Sequence, residues 1–250
     1  MFSAVREFII LMKRVLIVGG SKGIGCEVAL RLAAEGYEVF ASGRDLGRLN
    51  EGVVSLGESK GLKITPVVFD MTDRDAVEKA YAEYFSGHSP DIVVYNAGNN
   101  ADNIFAFMSS REWDSVIHTN VDGFFNTVQP LIGEMISRRF GRVIVISSVS
   151  GQTGQVGQVN YSAAKAALIG AAKALAREVA RKNVLVNVVA PGVIDTDMTK
   201  DLPKEHVLPL IPMRRYGDTS EIAGVVSFLC GEDSTYITGQ VIGVNGGMYI

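Results

Sequence analysis

The chain reads as an α/β doubly wound Rossmann fold: a parallel sheet of about seven strands with helices on both faces. Three observations predict it. Short apolar runs alternate along the sequence with longer stretches of helical spacing. The runs are apolar at nearly every position, the pattern of strands buried on both faces. A glycine-rich loop also stands directly between the first run and the first helix, where such folds turn toward a ligand.

In order, residues 14–18 (RVLIV) make the first strand, and Ile24, Val28 and Leu32 space a helix over 24–34. Residues 38–41 are the core of a second strand, followed by a helix over 45–55. Residues 64–69 (ITPVVF) make a third strand, followed by a helix over 72–84. Thr72 is the expected cap of that helix, and Asp73 and Asp75 suit its first turn. A fourth strand covers 92–95, and 110–137 holds one long helix or two. Residues 142–146 (RVIVI) are the fifth strand, 162–181 an alanine-rich helix, and 184–189 (VLVNVV) the sixth strand. A helix over 220–229 and a strand over 240–244 complete the pattern. No linker or repeat interrupts it, so residues 13–250 are expected to form a single domain, preceded by an N-terminal extension at 1–12 with Met12 as an alternative start.

Composition narrows the function classes. At 47% hydrophobic and 20% charged, the chain is a folded protein rather than a disordered one. Its 24 basic and 27 acidic residues nearly balance, which argues against non-specific nucleic-acid binding. No apolar run reaches the length of a membrane span. The two cysteines, Cys26 and Cys230, form no metal-ligand spacing, so no metal is expected, and a reducing, cytoplasmic compartment is the simplest reading.

In such sheets ligands sit beyond the carboxyl ends of the strands, so those loops carry the chemistry. The first is Gly19-Gly20-Ser21-Lys22-Gly23-Ile24-Gly25. Glycine lets the backbone approach a pyrophosphate, and the helix start supplies amide donors. The spacing is GxxxGxG and lacks the GKS or GKT ending of a nucleoside-triphosphate loop. The second strand ends Ala41-Ser42-Gly43-Arg44, without the acidic residue that holds an NAD ribose. Arg44, with Lys22 nearby, suits a 2′-phosphate and points to NADP(H). Asp70-Met71 follows the third strand, where the carboxylate serves either the adenine amino group or a turn. Asn96-Ala97-Gly98 follows the fourth, with small residues that let the chain pass under a ribose.

Tyr161 and Lys165 stand four apart at a helix start and so share one face. An ammonium beside a phenol lowers the phenol's pKa and makes it a usable acid or base. Ser147 and Ser148 follow the fifth strand at the same edge, where a hydroxyl can hold a carbonyl oxygen. Pro191, Gly192, Ile194 and Thr196, in PGVIDT after the sixth strand, are placed to meet a nicotinamide.

Taken together, these loops resemble the classical short-chain dehydrogenase/reductase family over essentially the whole of 13–250. The resemblance rests on GGSKGIG at 19–25, NAG at 96–98, Asn120 in HTNV, Ser148 in ISSVSG, YSAAK at 161–165 and PGVIDT at 191–196. Within the family the chain is most similar to the 3-oxoacyl-[acyl-carrier-protein] reductases, through NVVAPGVIDTDMT at 187–199, LAREVA at 175–180 and the ending YITGQVIGVNGGMYI. The resemblance implies four catalytic residues. Tyr161 protonates the carbonyl oxygen, Ser148 orients it, Lys165 lowers the tyrosine pKa and binds the ribose, and Asn120 holds a relay water. It also implies cofactor contacts from Gly19, Ser21, Lys22, Gly23, Ile24, Gly25, Asp70, Asn96, Ala97, Gly98, Ile194 and Thr196. The implied activity is NADPH-dependent reduction of a 3-oxoacyl thioester, in fatty-acid or a related polyketide or polyene synthesis. A family reductase of a free ketone, sugar, steroid or quinone is the alternative within the fold, and a dinucleotide-binding sensor the alternative outside catalysis.

An acidic acyl carrier protein calls for a basic docking face. Arg138, Arg139 and Arg142 gather after one helix, and Arg181 and Lys182 after another. In the related reductases the positions of Arg139 and Lys182 contact the carrier. Cations complementing helix C-termini are the competing reading. The small residues Ala164, Ala167, Ala171 and Ala172 permit close helix packing, and the resemblance implies a homotetramer. It also makes 199–215 a substrate lid, apolar through Leu202, Leu208, Leu210, Ile211 and Met213. Two positions depart from the family: Val18 stands where threonine is usual, and Tyr95 where the first asparagine of NNAG is usual. Neither change falls on the catalytic four.

Overall fold

The computed structural model describes residues 12–250. The N-terminal extension read over 1–12 therefore lies, apart from Met12, outside the described residues. Seven strands form one sheet, all pairs parallel, in the order β3-β2-β1-β4-β5-β6-β7. These are β1 (Arg14–Val18), β2 (Glu38–Gly43), β3 (Ile64–Val68), β4 (Ile92–Tyr95), β5 (Gly141–Ile146), β6 (Val184–Pro191) and β7 (Val241–Val244). Alternation along each strand feeds two cores. Leu16 and Val18 face one, Val15 and Ile17 the other.

Helices cover both faces. Helix α1 (Gly23–Ala34) follows β1. The next helical stretch runs α2 (Leu46–Leu49), a π turn (Asn50–Val54) and α3 (Ser55–Ser59), longer than the single helix expected there. After β3 comes α4 (Arg74–Tyr84), capped by Asp73, whose side chain accepts from Ala76 N at 3.1 Å. Thr72 is not the cap. Its N–H and hydroxyl both donate to Asp70, at 2.9 and 2.8 Å. Helices α5 (Ser110–Ile117) and α6 (Gly123–Arg138) are joined without a break by a π turn (His118–Asp122). Then come α7 (Ser150–Thr153), α8 (Val159–Val179), α9 (Lys204–Val207) and α10 (Thr219–Cys230). Helices α4, α6 and α8 bury Val77, Leu131 and Leu168 on one face of the sheet. Helices α1 and α10 bury Val28, Leu32, Ile222 and Val226 on the other.

The strand order reverses between β1 and β4, the switch point of a doubly wound sheet. The crevice outside their carboxyl ends opens there. Helix α6 stops at the opposite, amino edge on the left-handed Arg139 (φ 55°), and α8 runs there into a 3-10 turn (Ala180–Lys182) that ends on the left-handed Asn183 (φ 57°). Among the described residues no helix is long and apolar enough to cross a membrane.

Candidate active site

A cleft of about 580 Å³ opens at the carboxyl edge of the sheet, spanning the switch point. Its floor follows from close backbone approaches. Gly19 turns with φ 82°, and a Cβ there would come 2.7 Å from Ala97 Cα. A Cβ on Gly25 would collide with the Gly19 carbonyl oxygen. The turn is tied down by Asn96 N and Ala97 N, which donate to Val18 O at 3.0 and 2.8 Å, and by Asn96 Nδ2, which donates to Gly19 O at 2.8 Å. The Asn96 and Ala97 amides and the Asn96 side chain therefore hold this turn without the hydroxyl that Val18 lacks.

On the other wall, α8 presents Tyr161 and Lys165 one turn apart, both lining the cleft beside Ser148. Asn160 aims the start of that helix. It is fully buried, its Oδ1 accepts from Tyr161 N at 2.8 Å, and its Nδ2 donates to Ala101 O at 2.9 Å. Lys165 is buried, its Nζ donates to Ile146 O at 3.1 Å, and it stands 5.5 Å from the centre of the Tyr161 ring. Ser147 Oγ donates to Lys165 O at 2.8 Å and pins the helix to the end of β5. Burial brings the Lys165 ammonium down to about 8. Burial also pushes the Tyr161 phenol up to about 12, against a hydrogen bond with Ser148 that pulls it down. The sequence reading expected Lys165 to depress the phenol. In the chain by itself desolvation outweighs the Ser148 hydrogen bond.

Asn120 sits in the π turn between α5 and α6, fully buried. Its Nδ2 donates to Val116 O at 2.9 Å and Asn99 O at 3.0 Å. Its Oδ1 is buried with no hydrogen-bond partner among the described residues. That oxygen lies 2.5 Å, and Lys165 Nζ 3.1 Å, from where a Cβ of Gly98 would sit. An orphaned acceptor beside a buried ammonium has the chemistry of a water site. The glycines and this donor–acceptor pair along one trough fit an extended dinucleotide.

A family model for short-chain dehydrogenases matches residues 13–206. The chain belongs to the short-chain dehydrogenase family. Among curated relatives it is 44% identical to the 3-oxoacyl-[acyl-carrier-protein] reductase FabG of Aggregatibacter actinomycetemcomitans, over 95% of this chain and 100% of the relative. It is 42% identical to the reductase of that name from Staphylococcus aureus (strain Mu50 / ATCC 700699), over 96% and 99%. It is 43% identical to the 3-oxoacyl-[acyl-carrier-protein] reductase MabA of Mycobacterium bovis, over 94% and 92%. Membership of the short-chain dehydrogenase family makes the chain an oxidoreductase with a nicotinamide dinucleotide cofactor.

Most of the residues the family pattern singled out meet in this one cleft. Gly19, Ser21, Lys22, Gly23 and Ile24 line it from the first loop, and Arg44 from the second. Met71, Asn96, Ala97 and Gly98 line its middle, and Pro191, Gly192, Ile194 and Thr196 its far end. Gly25 and Asn120 stand just behind the wall. Asp70 does not line the cleft, since its Oδ1 is engaged by Thr72.

Arg139 and Lys182 are exposed neighbours of Arg181, and Arg139 Nη2 donates to Arg181 O at 3.4 Å. They lie at the amino edge of the sheet, opposite the cleft. Arg142 does not join them. It is 1% exposed on β5, under the Phe140 ring at 4.6 Å. Arg138 is engaged as well, donating to Ser89 O and Pro90 O at 3.0 Å each.

Three residues were missed by sequence reasoning. Arg48 lines the cleft beside Arg44 because Asp45 caps α2 by accepting from Arg48 N at 3.0 Å. The cap-type Asp45 four residues before a buried leucine was the available signal. Asn160 carried a weaker one, as an amide directly before the tyrosine. The third, Tyr95, looked remote from the catalytic four. Its hydroxyl in fact donates to Thr119 O at 2.9 Å, with Asn120 O at 3.1 Å.

Proposed function

We propose that the chain reduces a 3-oxoacyl thioester, carried by acyl carrier protein, to the 3-hydroxyacyl thioester with NADPH. The observation that carries this reading is the meeting of Ser148, Tyr161 and Lys165 with a glycine-floored trough whose wall at the first and second strand loops holds three cations, Lys22, Arg44 and Arg48. The names of the relatives supply the substrate class.

Lys22, Arg44 and Arg48 favour NADPH over NADH. Among the described residues the Arg44 and Arg48 guanidiniums make no side-chain bond, and the nearest carboxylate past β2, Asp45, lines the cleft but is engaged as the α2 cap by Arg48 N. Gly19, Ser21, Gly23 and Ile24 present backbone to the pyrophosphate. Bound, the cofactor supplies hydride. The Ser148 hydroxyl holds the substrate carbonyl oxygen in place. Tyr161, kept protonated by burial, gives its proton to that oxygen. Lys165 holds the ribose and passes a proton toward Tyr161, and Asn120 keeps the relay water between Lys165 and solvent. Met198 and Thr199 open the cleft toward 199–215, where Leu202, Leu210 and Met213 are exposed and Ile211 is buried as the anchor.

Carrier docking is proposed for Arg139 and Lys182. Because they stand at the edge opposite Tyr161, a carrier held there serves the cleft of a second copy. That part of the reading stands together with the homotetramer, which Ala167 and Ala171, solvent-facing on α8 with Ala163 and Gly170, support, whereas Ala164 and Ala172 are buried in the core.

The test is NADPH oxidation with acetoacetyl carrier protein and acetoacetyl-CoA, with Tyr161→Phe and Arg139→Glu alongside. Turnover that prefers the carrier and collapses in Tyr161→Phe is expected. Arg139→Glu is expected to raise KM for the carrier substrate alone. Turnover on free ketones but on neither thioester would shift the assignment to another reductase. NADPH binding without any turnover would make the protein a sensor.

A further inference from the structure

We infer that Tyr95 is a positioning residue for the proton relay, setting the height of Asn120 against Lys165. The inference rests on the reductase reading above and deepens it. Tyr95 is the last residue of β4 and is completely buried. Its ring stacks edge-on against Phe124, with centroids 5.4 Å apart. Its single O–H is shared between the carbonyls of Thr119 and Asn120, at 2.9 and 3.1 Å. Both carbonyls belong to the five-residue π turn that joins α5 to α6. A π turn shifts the backbone register, so its carbonyls need partners outside the regular helical ladder. Tyr95 supplies one from the sheet.

A second observation shows that the site is fitted to a tyrosine. Gly123 begins α6 directly after the π turn, and a Cβ there would come 2.9 Å from both Tyr95 Oη and Met71 Cγ. The phenol therefore occupies the space that any other residue at 123 would need. Met71 in turn lines the cofactor cleft, and Asn126 Nδ2 holds its carbonyl at 3.0 Å. One hydroxyl thus ties β4, the relay turn and the cleft wall together. Removing it frees the Asn120 backbone to drift relative to the Lys165 ammonium, while the cofactor trough and Tyr161 stay in place.

The first test is Tyr95→Phe, which keeps the ring and its contact with Phe124. Expected is a fall in kcat of about tenfold with KM for NADPH changed less than twofold, and a larger solvent deuterium isotope effect on kcat. In the cofactor-free protein, amide hydrogen exchange over 116–124 should rise while exchange in α10 stays unchanged. The second test is Gly123→Ala, whose methyl meets the Tyr95 hydroxyl. It should lower kcat in the wild-type background and lower it less in Tyr95→Phe, a positive coupling in the double-mutant cycle.

Wild-type kcat and isotope effect in Tyr95→Phe would overturn the inference, even with faster exchange, because the hydroxyl would then be a structural tie only. Unchanged exchange over 116–124 would overturn it as well. A wild type silent on every ketone and thioester would instead remove the reductase reading, and the exchange comparison would still decide whether Tyr95 holds the turn.

Discussion

The two edges of the sheet use the same side chains for opposite purposes. At the amino edge Arg14, Arg138 and Arg142 are engaged by the fold, while Arg139 and Arg181 stay exposed. Arg14 pairs with Glu38 at 3.1 Å and lies over Phe40 at 4.9 Å. Arg138 pairs with Asp91 at 3.2 Å and closes two backbone carbonyls, and Arg142 is buried outright. At the carboxyl edge Arg44 and Arg48 face the cleft with no side-chain partner among the described residues, and Lys22 has only an exposed contact with Asp197 at 3.5 Å. The Nη donors of Arg138 and Arg142 go to backbone carbonyls, although Nε of each has no hydrogen-bond partner among the described residues, whereas the free guanidiniums beside the cavity are available to a ligand's anion. Charge alone does not separate architecture from function. The state of the donors does.

The comparison is tested most severely at Tyr161. Tyr161→Phe should cut the single-turnover rate of NADPH oxidation by about 10²- to 10⁴-fold, with the melting temperature nearly unchanged. A variant retaining more than a tenth of the rate would remove the phenol from the chemistry.

Lys165 sharpens the contrast, because it is a cation at the cleft whose burial opposes folding. Its folded pKa of about 8 lies below that of a free lysine. The unfolded chain therefore binds more protons between those values, and stability rises with pH across that window. Lys165→Met should stabilise the chain at pH 7 by up to about 3 kcal/mol while abolishing turnover, and this advantage should fade as pH climbs above 8. Denaturation at pH 7 and pH 10 reads it directly. A variant less stable than wild type at pH 7 would show that the Ile146 hydrogen bond outweighs desolvation.

At the opposite edge Arg138→Ala should cost about 2 kcal/mol of stability, since Ser89 O, Pro90 O and Asp91 lose their donor. Its kinetic constants should match wild type. A change in KM for NADPH would break the division between the edges. The smallest effect is expected from Arg44→Ala or Arg48→Ala, each raising KM for NADPH about tenfold, with KM for NADH and the melting temperature unchanged. Equal losses with both cofactors would remove these cations from the 2′-phosphate.

Much of the fold and cleft was legible in the sequence because the signals are local. Strands buried on both faces must be apolar at every position, so β1, β5 and β6 stand out as runs. Gly19 and Gly25 mark a turn where a Cβ would meet backbone, and Tyr161 and Lys165 share a face simply by being four apart in a helix. Arg142 was misplaced for the opposite reason. A basic residue four positions past the arginine that ends α6 looks exposed until Phe140 and the strand pairing cover it. Asp70 sits in the right loop, yet a two-residue turn engages one of its carboxylate oxygens with Thr72.

What the sequence determined by itself is what nearest neighbours in the chain decide: the alternation of strands and helices, the glycine loop, the tyrosine–lysine pair and the family. The strand order was left to the tertiary structure, and with it the meeting of the first and fifth strand loops in a single cleft. Tertiary packing also decided the upward shift of the Tyr161 phenol and the bond from Tyr95 to a turn 24 residues away. Periodicity reports which face of an element is apolar, but burial and hydrogen bonding depend on what packs against that face, and those partners come from distant parts of the chain.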